Sequence, residues 1–445
     1  MPLADRFRHT LRALRHRNYR LFFGGQLVSL VGTWMTSVAM SWLVWRLTHS
    51  AFLLGAVAFA SYVPAFLLGP IAGVLVDRFD KRRVVIGTQA LAMVQSLLLA
   101  VLTLSGVITV TEVILLALFQ GAINGFDIPG RQSFLVEMIE DRADLPNAIA
   151  LNSSMFNAAR LVGPSIGGLV IAALGEGWCF AIDAVSYVGV IASLLAMRVA
   201  PRPRREGPSQ RAAADLADGF RYVTRTPAIR ALLLLVGSVS FLGLPYTALL
   251  PIFAARVLHG GPQTLGYLMG ASGVGALLGA ITLAARRSVV GLGAWLPRMV
   301  ALFAAGIGTF ALSRSPALSM FALIVAGFGF MVQMASSNTL LQTIVDDDKR
   351  GRVMSFYSMA FVGSAPFGSL IAGAVAQHAG APLTLAGGAV GLLAVALAFF
   401  RALPALREQV RPLYVERGLL PAESEEDVAA ALALALPGGA GTGAP

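Results

Sequence analysis

The chain has 445 residues, of which 56% are hydrophobic and only 13% charged, and it carries a formal charge of +11. A soluble surface of this size needs far more charge, so the apolar excess excludes a soluble enzyme or binding module and points to a protein that crosses a membrane many times. The positive charge is arginine set in short clusters between apolar runs, which is a topology bias and not a nucleic-acid surface.

A single cysteine, Cys179, excludes an internal disulfide, and the five histidines form no metal-ligand spacing. The lysines Lys81 and Lys349 do not stand in a phosphate-loop context, so no ATP hydrolysis, cofactor or metal is expected.

Residues 1–20 form a basic start (Arg6, Arg8, Arg12, Arg15, Arg17, Arg20). The apolar run that follows is too long for the hydrophobic region of a signal peptide and is kept as a first span. Apolar segments long enough to cross are predicted at 21–46, 52–76, 84–105, 111–133, 147–173 and 178–198, then at 229–257, 264–285, 294–313, 317–345, 353–377 and 381–401. The expected fold is an all-α integral membrane protein of twelve transmembrane helices. They divide into an N-terminal half (21–198) and a C-terminal half (229–402), joined by a linker (199–228) and followed by a partly disordered tail (403–445).

With the N-terminus in the cytoplasm, about thirty of the 34 arginines and lysines fall on the cytoplasmic side, and only Arg46, Arg256 and Arg314 at outer ends. Both termini are then cytoplasmic.

Three spans carry polar stripes at helical spacing. The first presents Gln26, Ser29, Thr33 and Ser37, and the fourth Gln120, Asn124, Asp127 and Arg131. The fifth presents Ser153, Asn157, Arg160 and Pro164. A full charge in mid-span is costly in lipid, so Arg160 is expected to face protein or water. Weaker stripes in the C-terminal half are Ser240 and Tyr246 in the seventh span and Gln333 and Ser337 in the tenth, with no full charge deep in any of its spans. Any ion coupling is therefore expected in the N-terminal half.

The candidate titrating groups are Asp127, with Arg131 one turn away, and Asp183. Asp127 serves either coupling or a structural ion pair, and Asp183 is expected to hydrogen-bond within the bundle. Arg160 would order Asp127 or an anionic substrate, since a guanidinium stays charged. Trp34, Trp42, Phe156, Phe241, Tyr246 and Tyr357 are available to stack on an aromatic cargo.

Two glycine patterns repeat across the halves. Gly69 and Gly73 are echoed by Gly275 and Gly279, each pair followed by arginines (Arg82 and Arg83; Arg286 and Arg287). VGPSIGGLVIA from Val162 to Ala172 is echoed by GSAPFGSLIAG from Gly363 to Gly373. Six-span repeats of this kind build several secondary transporters, with a site near the midplane between the halves.

The loop GVLVDRFDKRRVV, Gly73 to Val85, resembles the signature of the major facilitator superfamily, and the resemblance covers the chain to about residue 402. The segment Gly163, Pro164, Gly167, Gly168 is similar to the fifth-span motif of its exporters and antiporters. PGRQSFLVEMIEDRADLPNAIALNSSMFNAARLVGP and KRGRVMSFYSM resemble its drug and siderophore exporter branch, which includes macrolide-efflux and enterobactin-exporter proteins. The fourth-span arginine of the superfamily is replaced by Ala117, so that arginine's proton role is not carried over.

The resemblance implies that the first, fourth, seventh and tenth spans line a central cavity. It also implies that Asp77 faces the start of the eleventh span, with Gly73, Arg78, Lys81, Arg82 and Arg83 in conformational gating. The basic residues would pair with Glu137, Glu140 and Asp141 or with Asp346 to Asp348, and part when the cytoplasmic side opens.

The expected function is proton-coupled export of a small lipophilic or aromatic compound, by a monomer rocking in the bacterial inner membrane among its lipids. Uptake by the same fold and a non-transporting scaffold or receptor are the competing functions. The exporter motif argues against the first, and the polar stripes with the intramembrane Arg160 against the second.

Overall fold

A computed structural model describes residues 11–198, 212–286 and 288–420. The expectations for Arg6, Arg8, Arg287, the first part of the linker and the tail from residue 421 lie outside these. Among the described residues there is no strand, and twelve helices are long and apolar enough to span.

The first six spans are α1 (Arg17–Thr48), α2 (Ala51–Arg78), α3 (Lys81–Leu104), α4 (Val110–Glu137), α5 (Leu145–Leu174) and α6 (Glu176–Ala196). A non-spanning helix, α7 (Ala212–Arg225), leads to a seventh span divided into α8 (Pro227–Gly243) and α9 (Tyr246–Ile252). Next come α10 (Pro262–Ala284), α11 (Leu292–Leu312) and α12 (Pro316–Ile344). The eleventh span is divided into α13 (Arg350–Ser358) and α14 (Ser364–Ala379), and the twelfth is α15 (Ala381–Glu416).

The ends agree with the sequence-drawn spans to within one helical turn, except that α15 continues past residue 401 to Glu416. Local chemistry sets these ends. Ser50 caps α2 through its side chain, Asp80 caps α3, and Thr109 with Glu112 forms a capping box on α4. The eleventh span is broken by a π-helical segment, Met359–Gly363, just ahead of Pro366, whose ring nitrogen cannot donate to the preceding turn.

The repeat read in the sequence is also present in the backbone. α5 and α6 are joined by one residue, Gly175 at φ 93°, and α14 and α15 by Gly380 at φ 85°. Both are left-handed conformations that favour glycine.

The glycine-rich motifs make the same two kinds of contact. Within each half, Gly167 lies against Met35 of α1, and Gly368 against the Phe241 carbonyl of α8. Between halves, Gly168 lies against Pro262 and Gly266 of α10, and Gly373 against Ala51 and Gly55 of α2. A methyl on Gly168 would lie 2.6 Å from the Pro262 oxygen and 3.1 Å from the Gly266 Cα. Backbones approach this closely only where both residues are small.

These crossings seal the end opposite the basic loops. There Gln377 Oε1 accepts from Ser50 Oγ (3.1 Å), Ala51 N (2.9 Å) and Phe52 N (3.3 Å), so a side chain of one half caps a helix of the other. The Arg256 guanidinium stacks 4.8 Å from the Trp45 ring centroid, also between halves.

At the basic end the halves part. The glycine pair of α2 has no atom within 4 Å of where a Cβ would lie at Gly69 or Gly73. Its echo behaves differently, since Gly279 packs on Phe328 of α12 inside its own half.

The ion pairs described at this end stay within one half. Lys81 meets Glu137 at 3.1 Å, Arg15 meets Asp144 at 2.8 Å, and Lys349 meets Asp346 at 3.3 Å. Arg82 donates to the carbonyls of Leu194 and Leu195, closing the end of α6. The cross-half pairing considered with Asp346 to Asp348 is therefore not formed by Lys81 or Arg82 in this conformation, because partners in their own half hold them. Arg83 caps α3 through its backbone N–H to Asp80, and Arg78 closes α2. The side chain of Asp77 lies outside the described ones.

Candidate functional site

Three helices of the N-terminal half carry the candidate polar side chains on one face each. On α1, Gln26, Thr33 and Ser37 share one stripe; Thr33 and Ser37 are exposed, while Gln26 is buried deeper toward the basic end. On α4, Gln120 donates to Asn124 at 3.1 Å, on the face turned away from the exposed Leu115 and Leu118. On α5, Ser153, Asn157 and Arg160 lie opposite Val162 and Leu169, which are exposed as a lipid-facing surface requires.

Arg160 is half-buried, with its Cζ 5.9 Å from the Trp34 ring centroid. Phe156 meets the same ring edge-on at 5.8 Å and 70°. Opposite stands Tyr62 of α2, a residue the stripes did not single out. Tyr62 is 53% exposed and within electrostatic reach of Arg160. Tyr62 and the half-buried Arg160 each keep accessible surface while lying near one another. α2 and α5 each pack across to the other half, so the space between Tyr62 and Arg160 is the central one.

Asp127 does not share that space with Arg160. It is buried and held by Arg131 Nε at 2.6 Å, Thr88 Oγ1 at 2.8 Å and Gln89 Nε2 at 2.9 Å, all inside the N-terminal half. The pairing with Arg160 considered from sequence is corrected accordingly: α3, not α5, faces Asp127. Ser29 is also buried inside this half.

Asp183, seven residues into α6 and so about 10 Å from its outer start, accepts from Thr36 Oγ1 at 3.0 Å and Ser96 Oγ at 2.8 Å. Its Oδ1 has no partner among the described residues, and none of the cations described there pairs with it. Tyr187, one turn on, lies within electrostatic reach of Asp183, Asp127 and Arg131, with Thr33 as a hydrogen-bonding neighbour. A buried polar seam thus runs along α6 from the outer third to Arg131. Its α3 members had a legible signal: Thr88 and Gln95, like Gln89 and Ser96, recur seven residues apart within the apolar run that follows Lys81, Arg82 and Arg83.

The C-terminal candidates are not on the hollow in this conformation. Tyr246 is buried, its hydroxyl 2.6 Å from Ser272 Oγ and its ring edge-on to Phe303. Gln333 donates to Ser337 at 3.1 Å with both fully buried, and the Tyr357 hydroxyl donates to the Met334 carbonyl at 3.2 Å. These groups are buried and bonded inside their half, with Gln333 Oε1 left without a partner among the described residues, which corrects their expected place on the cavity wall. Gly163 and Pro164 belong to the packing of α5, Gly163 directly against the Trp34 Cβ. Among the described residues no group of three or more His, Cys, Asp or Glu could hold a metal.

Comparison with known proteins follows this geometry. The family profile described as "transmembrane secretion effector" matches residues 9–420. The chain is 25% identical over 385 residues to the staphyloferrin A transporter of Staphylococcus aureus, covering 86% of this chain and 95% of that one. It is 29% identical over 394 residues to the multidrug efflux pump Tap of Mycolicibacterium fortuitum (86% and 94%). It is 23% identical over 397 residues to the enterobactin exporter EntS of Shigella boydii (88% and 93%). Among solved structures, a bacterial homologue of the human lysosomal transporter Spinster, in an inward-facing and unoccupied conformation, superposes with a TM-score of 0.70 at 15% identity, over 88% of this chain and 98% of that one.

Proposed function

The chain belongs to the transmembrane secretion effector family of the major facilitator superfamily, and from that premise we propose that it exports a small amphiphilic compound in exchange for protons, by rocking of its two halves. The observation that carries this reading is that glycine crossings and the Gln377 cap join the two halves at the end opposite the basic loops, with Arg160 beside Trp34 in mid-span. The arginine bias assigns the open end to the cytoplasm, so cargo enters from inside. Named exporters of drugs and siderophores among the relatives support the outward direction.

Asp183 is the group we assign to proton coupling. It is buried beside two hydroxyls with no cation, a setting in which a carboxyl exchanges its proton when water reaches it. Asp127 is already satisfied by a cation and two donors and is assigned to structure. Protein in this orientation lies in the bacterial inner membrane as a monomer among lipid, with both termini cytoplasmic.

The test is uptake into inside-out vesicles. An acid-inside gradient should drive accumulation of a dye cargo, and Asp183→Asn should abolish the gradient dependence while leaving downhill exchange. Gradient-independent accumulation by the wild type would refute proton coupling. Dye accumulation only in right-side-out vesicles would refute export.

A further inference from the structure

Arg160 stands in mid-span, and among the described residues no carboxylate forms an ion pair with it. The ion pairs among the described residues of the N-terminal half use Asp127, Asp141, Asp144, Glu137 and Glu176, and none of them includes Arg160. Asp77 is fifteen residues along α2 from Tyr62, about 22 Å away at the helical rise, so it does not serve either. What surrounds the guanidinium is aromatic and hydroxylic: the Trp34 ring 5.9 Å away, Phe156 edge-on to that ring, and Tyr62 across the hollow. Stacking on a ring holds a guanidinium in place and leaves its N–H edge free to donate in a planar fork that matches a carboxylate. An uncompensated cation within the hydrocarbon depth is costly, and an anion that enters with the cargo removes that cost.

We propose that Arg160, Trp34 and Tyr62 form an organic-anion recognition point, and that the cargo is an amphiphile carrying a carboxylate beside an aromatic or apolar body. The inference rests on the transporter reading above and narrows its substrate class. Arg160 meets the carboxylate, Tyr62 donates to it, and Trp34 with Phe156 covers the apolar part. A lipophilic cation, the other common cargo of efflux proteins, would meet a like charge at the centre of the hollow and is disfavoured.

The experiment compares two dyes on one xanthene framework, the anion fluorescein and the cation rhodamine 123, by fluorescence polarisation with purified full-length protein in detergent. Wild type should bind fluorescein at least tenfold more tightly than rhodamine 123. Arg160→Gln should weaken fluorescein at least tenfold, Arg160→Lys should fall between, and Tyr62→Phe should cost a few-fold with the same melting temperature as wild type. Should Arg160→Gln fail to fold, the Lys and Phe variants carry the test.

No fluorescein binding by the wild type, equal binding by folded Arg160→Gln, or tighter binding of rhodamine 123 would overturn the proposal. Vesicle transport separates the two readings: fluorescein bound through Arg160 but never accumulated in inside-out vesicles defeats export and leaves the anion site standing.

Discussion

Gly168→Ala tests whether the outer glycine crossing holds the conformation described here. The added methyl would sit 2.6 Å from the Pro262 oxygen and 3.1 Å from the Gly266 Cα, both backbone atoms that cannot swing aside. The halves must separate at this point or strain, and overpacking of this kind costs about 1 to 3 kcal/mol. The gain in helix propensity from glycine to alanine, about 1 kcal/mol, is present in both conformations and cancels from their ratio. A penalty confined to the outer-closed state shifts the equilibrium toward outer-open by roughly 5- to 150-fold.

Spin labels at Val107 and Leu312, which are exposed at the outer ends of the N- and C-terminal halves, would read the change as a distance distribution in a Cys179→Ala background. Wild type should show one short distance, and Gly168→Ala a new, longer population. An unchanged distribution in a folded Gly168→Ala protein would refute the claim that this crossing sets the outer seal.

The same labels grade the cap made by Gln377. Removing its oxygen in Gln377→Ala should favour the outer-open form by about 1 kcal/mol, as loss of a helix cap does. Gln377→Glu should favour the sealed form, because a carboxylate at a helix start gains about 0.3 to 1 kcal/mol. Gly73→Ala, where a methyl meets nothing within 4 Å, should leave the distribution unchanged and slow turnover only by hindering closure at the basic end. Equal turnover would remove Gly73 from gating. Asp127→Asn should lower the melting temperature, with a loss toward the lower end of about 3 to 5 kcal/mol because Arg131 is 27% exposed. The double variant Asp127→Asn/Arg131→Gln should lose less than the sum of the singles, and strict additivity in that cycle would count against a coupled pair.

Span positions were legible because twenty-residue apolar runs with arginine at one set of ends admit few alternatives. The repeat between Val162 to Ala172 and Gly363 to Gly373 was equally legible, since the same glycines make the same crossings in both halves. Stripe membership was the weaker signal. Helical spacing tells which residues share a face, but a twelve-helix bundle has faces turned to lipid, to a neighbouring helix and to the hollow, and polar residues occupy the last two alike. Asp127 and Arg160 illustrate this: both are mid-span charges on polar stripes, yet one is sewn to α3 by Thr88 and Gln89 and the other faces open space. Gln377 gave no signal at all, because its oxygen caps a helix more than three hundred residues earlier in the chain. Tyr62 was hidden in the same way, since only the fold sets it opposite α5.

The distribution of charge between the halves has an energetic consequence for the exchange proposed above. Asp127, Arg131, Arg160 and Asp183 all lie in the N-terminal half, while the central polar groups of the C-terminal half, Tyr246, Ser272, Gln333 and Ser337, are neutral and bonded to one another. A proton taken inward on Asp183 and a monoanion carried outward on Arg160 each move one positive equivalent inward. At about 100 mV, inside negative, each contributes about 2.3 kcal/mol, or about 4.6 kcal/mol per cycle. A cationic cargo exchanged for one proton would move no net charge and draw nothing from the potential. Fluorescein accumulation in inside-out vesicles should therefore respond to an imposed inside-positive potential at zero pH difference, and in Asp183→Asn, which moves no proton, the response should fall to that of the anion alone. Potential-independent transport of fluorescein by the wild type would contradict a cycle in which Arg160 carries the anion and Asp183 the proton.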